Sequence, residues 1–394
     1  MDTSGAGTGG VSDRAVSFSL APFPGIAALS EDWRELEQRS DCVFFLSWKW
    51  IGAWLELSGV RPVLLQGFDD GRLVCLGLLC MQANRRHGVL HSRGLFLNES
   101  GMVRHDIIAI EHNGFLLDRR FGDETIGAAM SYLMDLEDGH PLLGTWDEIR
   151  FGGVPASYES IALSRGLRRH TVNRRSTAVV DLDAIRDSGG AYLDSLSSNT
   201  RYQIRRSTRL YEARGPLRLE RARDGAEALE YLEGLKRFHQ PYWEARTGQG
   251  AFSYPFLVAF HQRLVTECEA GRDYELARIS CGDQDIGYVY NLIRGRWIGF
   301  YLGGFRYESD NKMKPGMVCF ALCLQAHLDQ GMSAFDFLAG DQRYKSNLAE
   351  LQPGLVWFDI QRPRLKLRLE DLARDARNGL QRLRERRATV ENTR

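Results

Sequence analysis

The sequence predicts a mixed α/β chain folded as two units, and three observations carry that prediction. Short alternating apolar runs joined by turn signals occur twice, at 63–81 and 274–303, and read as hairpin strands. Around them lie longer segments with apolar residues at helical spacing, such as Phe256, Phe260, Leu264 and Cys268. The pattern Val63 to Met81 echoes Ile279 to Ile293, and Trp146 to Phe151 echoes Phe335 to Leu338, as a tandem pair of related units would. At 394 residues and 43% hydrophobic content, the chain can give each unit a core.

Composition narrows the function classes. The 51 basic and 51 acidic residues balance, so the overall field favours neither nucleic acid nor an anionic membrane. The 7 cysteines are odd in number and contain no Cys-x-x-Cys pair. Cys319 and Cys323 fall four apart in a helical pattern with no histidine pair at zinc spacing, which favours buried thiols over a metal site. Met1 to Asp13 has neither the basic nor the apolar part of an export signal, and no apolar run spans a bilayer. These features predict a reduced, soluble, cytoplasmic protein with a disordered stretch at 1–14.

In chain order, Ala15 to Ala21 alternate as a first strand, and Ser30 is a plausible cap for a helix through Trp33 and Leu36. Ser47 to Leu57 reads as a helix whose Trp50 and Trp54 pack in the core. Strands follow at 63–68 and 73–81 about an Asp-Asp-Gly turn, then near Val89 and Ile107. Gly122 to Glu137 is helical and ends at Gly139, and Trp146 to Phe151 is a strand. An extended run at 174–183 opens the second unit, followed by helices at 192–196, 199–214, 226–239 and 254–270. Strands at 274–281, 287–293 and 297–303 form a meander. A helix at 317–330 has Pro315 near its start, and strands at 334–338 and 355–361 close the unit. The basic stretch 362–394 reads as a solvated terminal helix, with a nucleic-acid or membrane-surface role as the other reading.

The chemistry concentrates between Tyr274 and Lys345, where a sheet feeds a helix N-terminus, an arrangement that offers free N–H groups to an anion. Lys314-Pro-Gly316 places a cation, a fixed φ and a residue without Cβ at that start. Asp336, between Phe335 and Phe337, points away from both rings. It can serve as a general base toward an amine, or hold an arginine or a loop N–H. Gly340-Asp341 leads to Tyr344 and Lys345, a phenol that can protonate a thiolate and an ammonium that can stabilise an oxyanion. Arg201, Arg205 and Arg209 share a helix face and repel, which either an anionic partner or acidic side chains elsewhere in the fold would relieve. Hydrolase elbows, phosphate loops, zinc-protease motifs and dinucleotide fingerprints are absent.

Leu196-Ser-Ser-Asn-Thr-Arg-Tyr-Gln-Ile-Arg-Arg206, Phe300-Tyr-Leu-Gly-Gly-Phe305, Lys314-Pro-Gly316 and Phe335-Asp-Phe-Leu-Ala-Gly-Asp341 with Tyr344-Lys345 resemble the CelD/BcsL-type branch of the GNAT acetyltransferases, related to the Fem aminoacyl transferases. Phe44-Phe-Leu-Ser-Trp-Lys-Trp50 and the segment 69–79 share the likeness, which covers most of 16–361. It implies tandem GNAT-like domains at 15–172 and 173–361, each a mixed, mostly antiparallel sheet flanked by helices. It further implies acyl transfer from a thioester, acetyl-coenzyme A first, or from an aminoacyl-tRNA to the amine of a small molecule or glycan. The usual pyrophosphate loop is missing, and Lys314-Pro-Gly316 stands at its junction.

On that resemblance, Tyr301, Leu302, Gly303, Lys314, Gly316 and Met317 would hold the donor, with Arg201, Arg205 and Arg209 on its phosphates. Asp336, Tyr344 and Lys345 would be catalytic, and His239, Trp243, Arg246, Phe305 and Asp341 would line the acceptor pocket, with no metal. Two rivals share these residues: a tRNA-dependent aminoacyl transferase, and a non-catalytic pair acting as an assembly module.

Overall fold

The computed structural model describes residues 16–86, 90–340 and 342–370. Strands β1 (Ser17–Ala21), β2 (Val63–Asp69), β3 (Arg72–Arg86), β4 (Leu90–Leu97), β5 (Leu116–Leu117), β6 (Glu148–Pro155) and β7 (Arg169–Asp181) are followed by β8 (Leu217–Arg221), β9 (Tyr274–Cys281), β10 (Gln284–Arg294), β11 (Trp297–Phe305), β12 (Ala334–Asp336) and β13 (Glu350–Gln361). The helices are α1 (Ile26–Gln38), α2 (Trp48–Ser58), α3 (Val103–Asp106), α4 (Asp123–Asp135), α5 (Ala156–Ser164), α6 (Leu182–Asp187), α7 (Ser198–Glu212), α8 (Gly225–Thr247), α9 (Pro255–Glu267), α10 (Pro315–Asp329) and α11 (Arg343–Leu348).

Among the described residues all strands join one sheet in the order β1-β2-β3-β4-β6-β13-β7-β12-β11-β10-β9-β8, with β5 beside β3. The order is close to a palindrome. Each half is an antiparallel run that ends in one parallel pair, β4 with β6 and β11 with β12. At the centre β13 lies against β6 and β7 against β12, so the last described strand completes the half built from the beginning of the chain. The fold is therefore a mixed α/β architecture, mostly antiparallel, with helices on both faces.

On one face, a single core joins the halves: Trp50 and Trp54 of α2 are 1% and 2% exposed and pack in the same cluster as Phe260 of α9 and Tyr290 of β10. The opposite face carries two separate cores, one under α4 and α5 and one under α7 and α10. Shared burial on one face makes the halves a continuous body, since separating them would expose large aromatic surface.

Several expectations need correction. Helix α1 starts after Pro24-Gly25, where Leu29 N–H bonds Gly25 O, so Ser30 lies inside it and instead accepts from Arg34. The region of Ile107 is a short helix and turn, because the Asp106 carboxylate takes the Ser100 N–H and hydroxyl. Helix α4 stops at Asp135, and Arg362 caps the Leu136 carbonyl. Helix α8 runs through Pro241 to Thr247 and ends on left-handed Gly248, with Tyr242, past the proline, stacked on Tyr307. Helices α5 and α11 and strand β8 were not expected. Strand β12 stops at Asp336 because Leu338 turns back at φ 59°.

The stretch 1–14 lies outside the described residues, as does 371–394 of the basic C-terminal stretch. The described start of that stretch is anchored: Arg362 and Arg364 pair with Asp138, and Lys366 with Asp147. Among the described residues no helix is long and apolar enough to cross a membrane.

Candidate active site

The parallel pair β11/β12 stays in register only from Trp297/Ala334 to Gly299/Asp336. Beyond it the two chains part, and a cavity of about 820 Å³ opens between Phe300–Gly303 on one side and Phe337–Ala339 on the other. The carboxyl ends of diverging parallel strands are a standard place for a ligand crevice. A bulge sharpens the opening: Tyr290 pairs with Leu302 and Asn291 with Phe300, so Tyr301 has no opposite residue. Its phenol reaches across to donate to Ile108 O at 2.7 Å.

Two helices wall the cavity. Helix α8 sits directly on β11, because a Cβ at Gly304 would lie 2.3 Å from Leu235 O. Its C-terminal half thus brings His239, Tyr242 and Trp243 into the lining. Helix α10 contributes its start. Pro315 occupies the first turn, and the first backbone bond is Val318 N–H to Lys314 O at 3.2 Å. The N–H groups of Gly316 and Met317 precede that ladder, and both residues line the cavity. Lys314 lines it too, but its ammonium donates to Gln203 Oε1 at 2.5 Å and its N–H to Ser207 Oγ at 2.8 Å, both on α7.

The polar floor comes from both halves of the chain. Glu111 lines the cavity and accepts the Ala339 N–H at 2.6 Å. Lys345, 4% exposed, donates to Leu338 O at 3.0 Å and Ala339 O at 2.9 Å. Gly340 permits this approach, since a Cβ there would meet Lys345 Nζ at 3.0 Å. Asp336 does not line the cavity. It is 2% exposed, accepts from Leu338 N–H at 2.7 Å, and faces His112 Nε2 at 2.8 Å. Of the two roles the sequence left open for Asp336, the geometry matches the holding of a loop N–H.

Burial drives the Glu111 carboxyl up from 4.5 to about 7, against the Ala339 N–H and the charges of Lys345 and His112, which favour ionisation. A carboxyl titrating near neutrality in a cleft is suited to accept and release a proton. Burial works against the His112 imidazolium, but the Asp336 carboxylate outweighs it and leaves His112 above its ordinary range. His112 and its neighbours are held under strain. Ala109, His112 and Leu338 take positive φ of 49°, 49° and 59°, each costing on the order of 1–3 kcal/mol. Asn113 pins the segment, donating to Leu97 O at 2.8 Å and Gly152 O at 3.0 Å and accepting from Asn98 at 2.9 Å.

His112→Asn is expected to destabilise the fold by about 1–3 kcal/mol at low pH, because it removes a partner from buried Asp336. A folded-state value raised above 6.5 gives stability that is fully present below 6.5 and lost as pH rises through the folded value. Denaturation midpoints of the two proteins should therefore converge toward alkaline pH.

The other expected residues divide. Tyr344, Phe305 and Leu302 line the cavity. The Tyr344 ring stacks on Phe320 with centroids 5.7 Å apart, and burial raises its phenol, so it stays protonated and able to donate at neutral pH. Arg246 is exposed outside the cavity, with its guanidinium 3.5 Å from the ring centroid of Tyr242. Arg201 and Arg205 lie on α7 near Asp194, at 3.3 and 3.7 Å, and Arg209 is exposed. Asp341 lies outside the described residues. Glu111 and His112 were missed. Their trace in the sequence is the polar run Glu111-His-Asn-Gly114 between Ile107-Ile-Ala-Ile110 and Phe115-Leu-Leu117.

Comparisons with known proteins bear on the fold. Residues 198–346 match the acetyltransferase (GNAT) domain family. Among solved structures, the fold is similar to that of FemX, with a TM-score of 0.56 at 13% identity over 87% of this chain and 98% of that one. It is also similar to L-PGS from Bacillus licheniformis, with a TM-score of 0.51 at 12% identity over 87% of this chain and 95% of that one. No curated protein sequence matches the chain.

Proposed function

We propose that the chain is an N-acyltransferase of the CelD/BcsL type that moves an acyl group from acyl-coenzyme A, acetyl-coenzyme A in the simplest case, to the primary amine of a small molecule or glycan. The observation that carries this reading is Glu111, a cavity-lining carboxyl held near pH 7, at the parting of two parallel strands beside a helix start. The domain division at 172/173 and a cytoplasmic location belong to the same reading.

In this reading the donor thioester lies along Tyr301, Leu302 and Gly303, and its phosphates meet the first turn of α10 at Lys314, Gly316 and Met317. Glu111 takes a proton from the amine, or from a water that relays it. The amine nitrogen forms a bond to the carbonyl carbon as the C–S bond breaks, and the thiolate leaves with a proton from Tyr344. Lys345 holds the Leu338–Ala339 carbonyls so that the Ala339 N–H stays on Glu111. Asp336 and His112 position that loop from behind. His239, Trp243 and Phe305 contact the acceptor.

Acetyl-coenzyme A at 100 times its dissociation constant is expected to stabilise the protein by about 2.7 kcal/mol, read as a rise in thermal midpoint. Gly316→Asp, which sets a carboxylate against the phosphates at the helix start, should abolish most of that rise. A midpoint indifferent to the coenzyme removes it as the donor.

A second reading, aminoacyl transfer from tRNA, draws on the exposed Arg205, Arg209 and Tyr202 of α7, which present a basic face with an aromatic platform. It requires charged-tRNA affinity that falls steeply with salt and is weakened by Arg205→Ala and Arg209→Ala together.

A further inference from the structure

The cavity is far larger than a two-carbon acyl group needs. Its volume of about 820 Å³ lies high in the range of roughly 300–1,000 Å³ that encloses a drug-sized ligand. Its walls decide what can fill it. Phe238, Trp243 and Leu257 lie on the side of α8 and α9, and Phe305, Met313 and Met317 on the side of β11 and α10. Methionine and aromatic walls of this kind adapt to flexible apolar ligands.

Most charged groups of the lining have partners within the protein, and Glu111 accepts the Ala339 N–H. Lys345 is held by two carbonyls, Lys314 by Gln203, and Glu308 by Arg214, while Arg343 is exposed. Burial lowers His239 to about 4, so it is neutral at physiological pH. Away from Glu111 and the start of α10, the wall made by Phe238, Trp243, Ala251 and Leu257 favours a hydrocarbon over a sugar, whose hydroxyls would find few partners there. One buried polar atom of the lining remains without a partner among the described residues: Nδ1 of His239, a residue 7% exposed.

Resting on the acyltransferase reading of this same cavity, we propose that it encloses an aliphatic chain of medium or greater length, carried by the acyl donor or by an alkylamine acceptor. The reacting end sits at Glu111 and the parting of β11 and β12. The chain runs outward along α8 and α9, past Phe238, Trp243 and Leu257 and clear of the start of α10, and a hydroxyl or amide along it pairs with His239.

The test is equilibrium binding to the full chain of two ligand series, saturated acyl-coenzyme A from acetyl to palmitoyl and primary alkylamines of matching length. Each buried methylene contributes about 0.8 kcal/mol, so the dissociation constant should fall about fourfold per added methylene and then level off once the cavity is full. The series that shows this trend identifies the source of the chain. A flat response in both series, or tightest binding by acetyl-coenzyme A, overturns the proposal. Ala251→Trp, which adds bulk at the wall, should move the plateau to shorter chains. An unmoved plateau places the chain elsewhere and also overturns the proposal. Should that variant fail to fold, the wild-type series still decides.

Turnover measured alongside separates the two readings. A chain-length trend without acyl transfer sinks the proposed activity and leaves the chain site standing. Transfer from acetyl-coenzyme A without a trend does the reverse.

Discussion

Glu111→Gln is expected to lower kcat/KM by about 10²–10⁴, the range for loss of a positioned general base. Glutamine keeps an oxygen for the Ala339 N–H, so the floor of the cavity should survive and the loss should be chemical. In the wild type, kcat/KM should rise with pH through about 7 as Glu111 ionises, and the variant should lack that limb. Stability should move in the opposite sense. A carboxyl raised from 4.5 to about 7 gives stability that is fully present below 4.5 and lost as pH rises through 7, on the order of 3 kcal/mol in all. Above pH 7 the variant should therefore be the more stable protein and the poorer enzyme, a trade found where a site holds a group in an unfavourable state. A pH–rate profile unchanged by the substitution would remove Glu111 from the mechanism.

Lys345→Met is expected to cost about 3–5 kcal/mol of folding stability, measured by denaturant unfolding. The side chain is almost fully buried, and its removal leaves the Leu338 and Ala339 carbonyls without that donor. It also removes a charge that lowers Glu111, so the rising limb of activity should move to higher pH. The double variant Glu111→Gln with Lys345→Met tests whether the two act together. Coupling through the Ala339 loop predicts that the double variant loses less activity than the product of the single losses. Full multiplicative loss would mean that Lys345 acts on the substrate independently.

The elements legible in the sequence are those with local causes. The meander at 274–303 follows from alternating residues and glycine turns, and Pro315 marks the start of α10 as its missing N–H requires. Trp50 and Trp54 read as core, and they are buried. The misplaced boundaries have non-local causes. Helix α8 passes Pro241 and sets Tyr242 against Tyr307 of a different part of the chain, and α4 ends where Arg362, 226 residues away, donates to a carbonyl. The cavity lining at Phe300–Gly303 and Lys314–Met317 was also legible, because these are contiguous stretches that each bring their own backbone.

The polar floor of the cavity was not legible. Glu111 meets Ala339, and His112 meets Asp336, across separations of 228 and 224 residues, and no periodicity marks a pairing at that distance. The sequence by itself determined the mixed α/β class, the meander and helices α7 to α10 of the second half, and the helix start that can meet an anion, since each rests on hydrophobic period and turn chemistry within a few residues. Only the tertiary structure decided that the first half of the chain supplies the titrating carboxyl, that Asp336 is held behind the wall, and that the arginine face of α7 lies outside the cavity. The physical reason is that desolvation and charge pairing depend on which distant groups share a buried volume, and the packing of the sheet halves, with β7 and β13 at its centre, decides that.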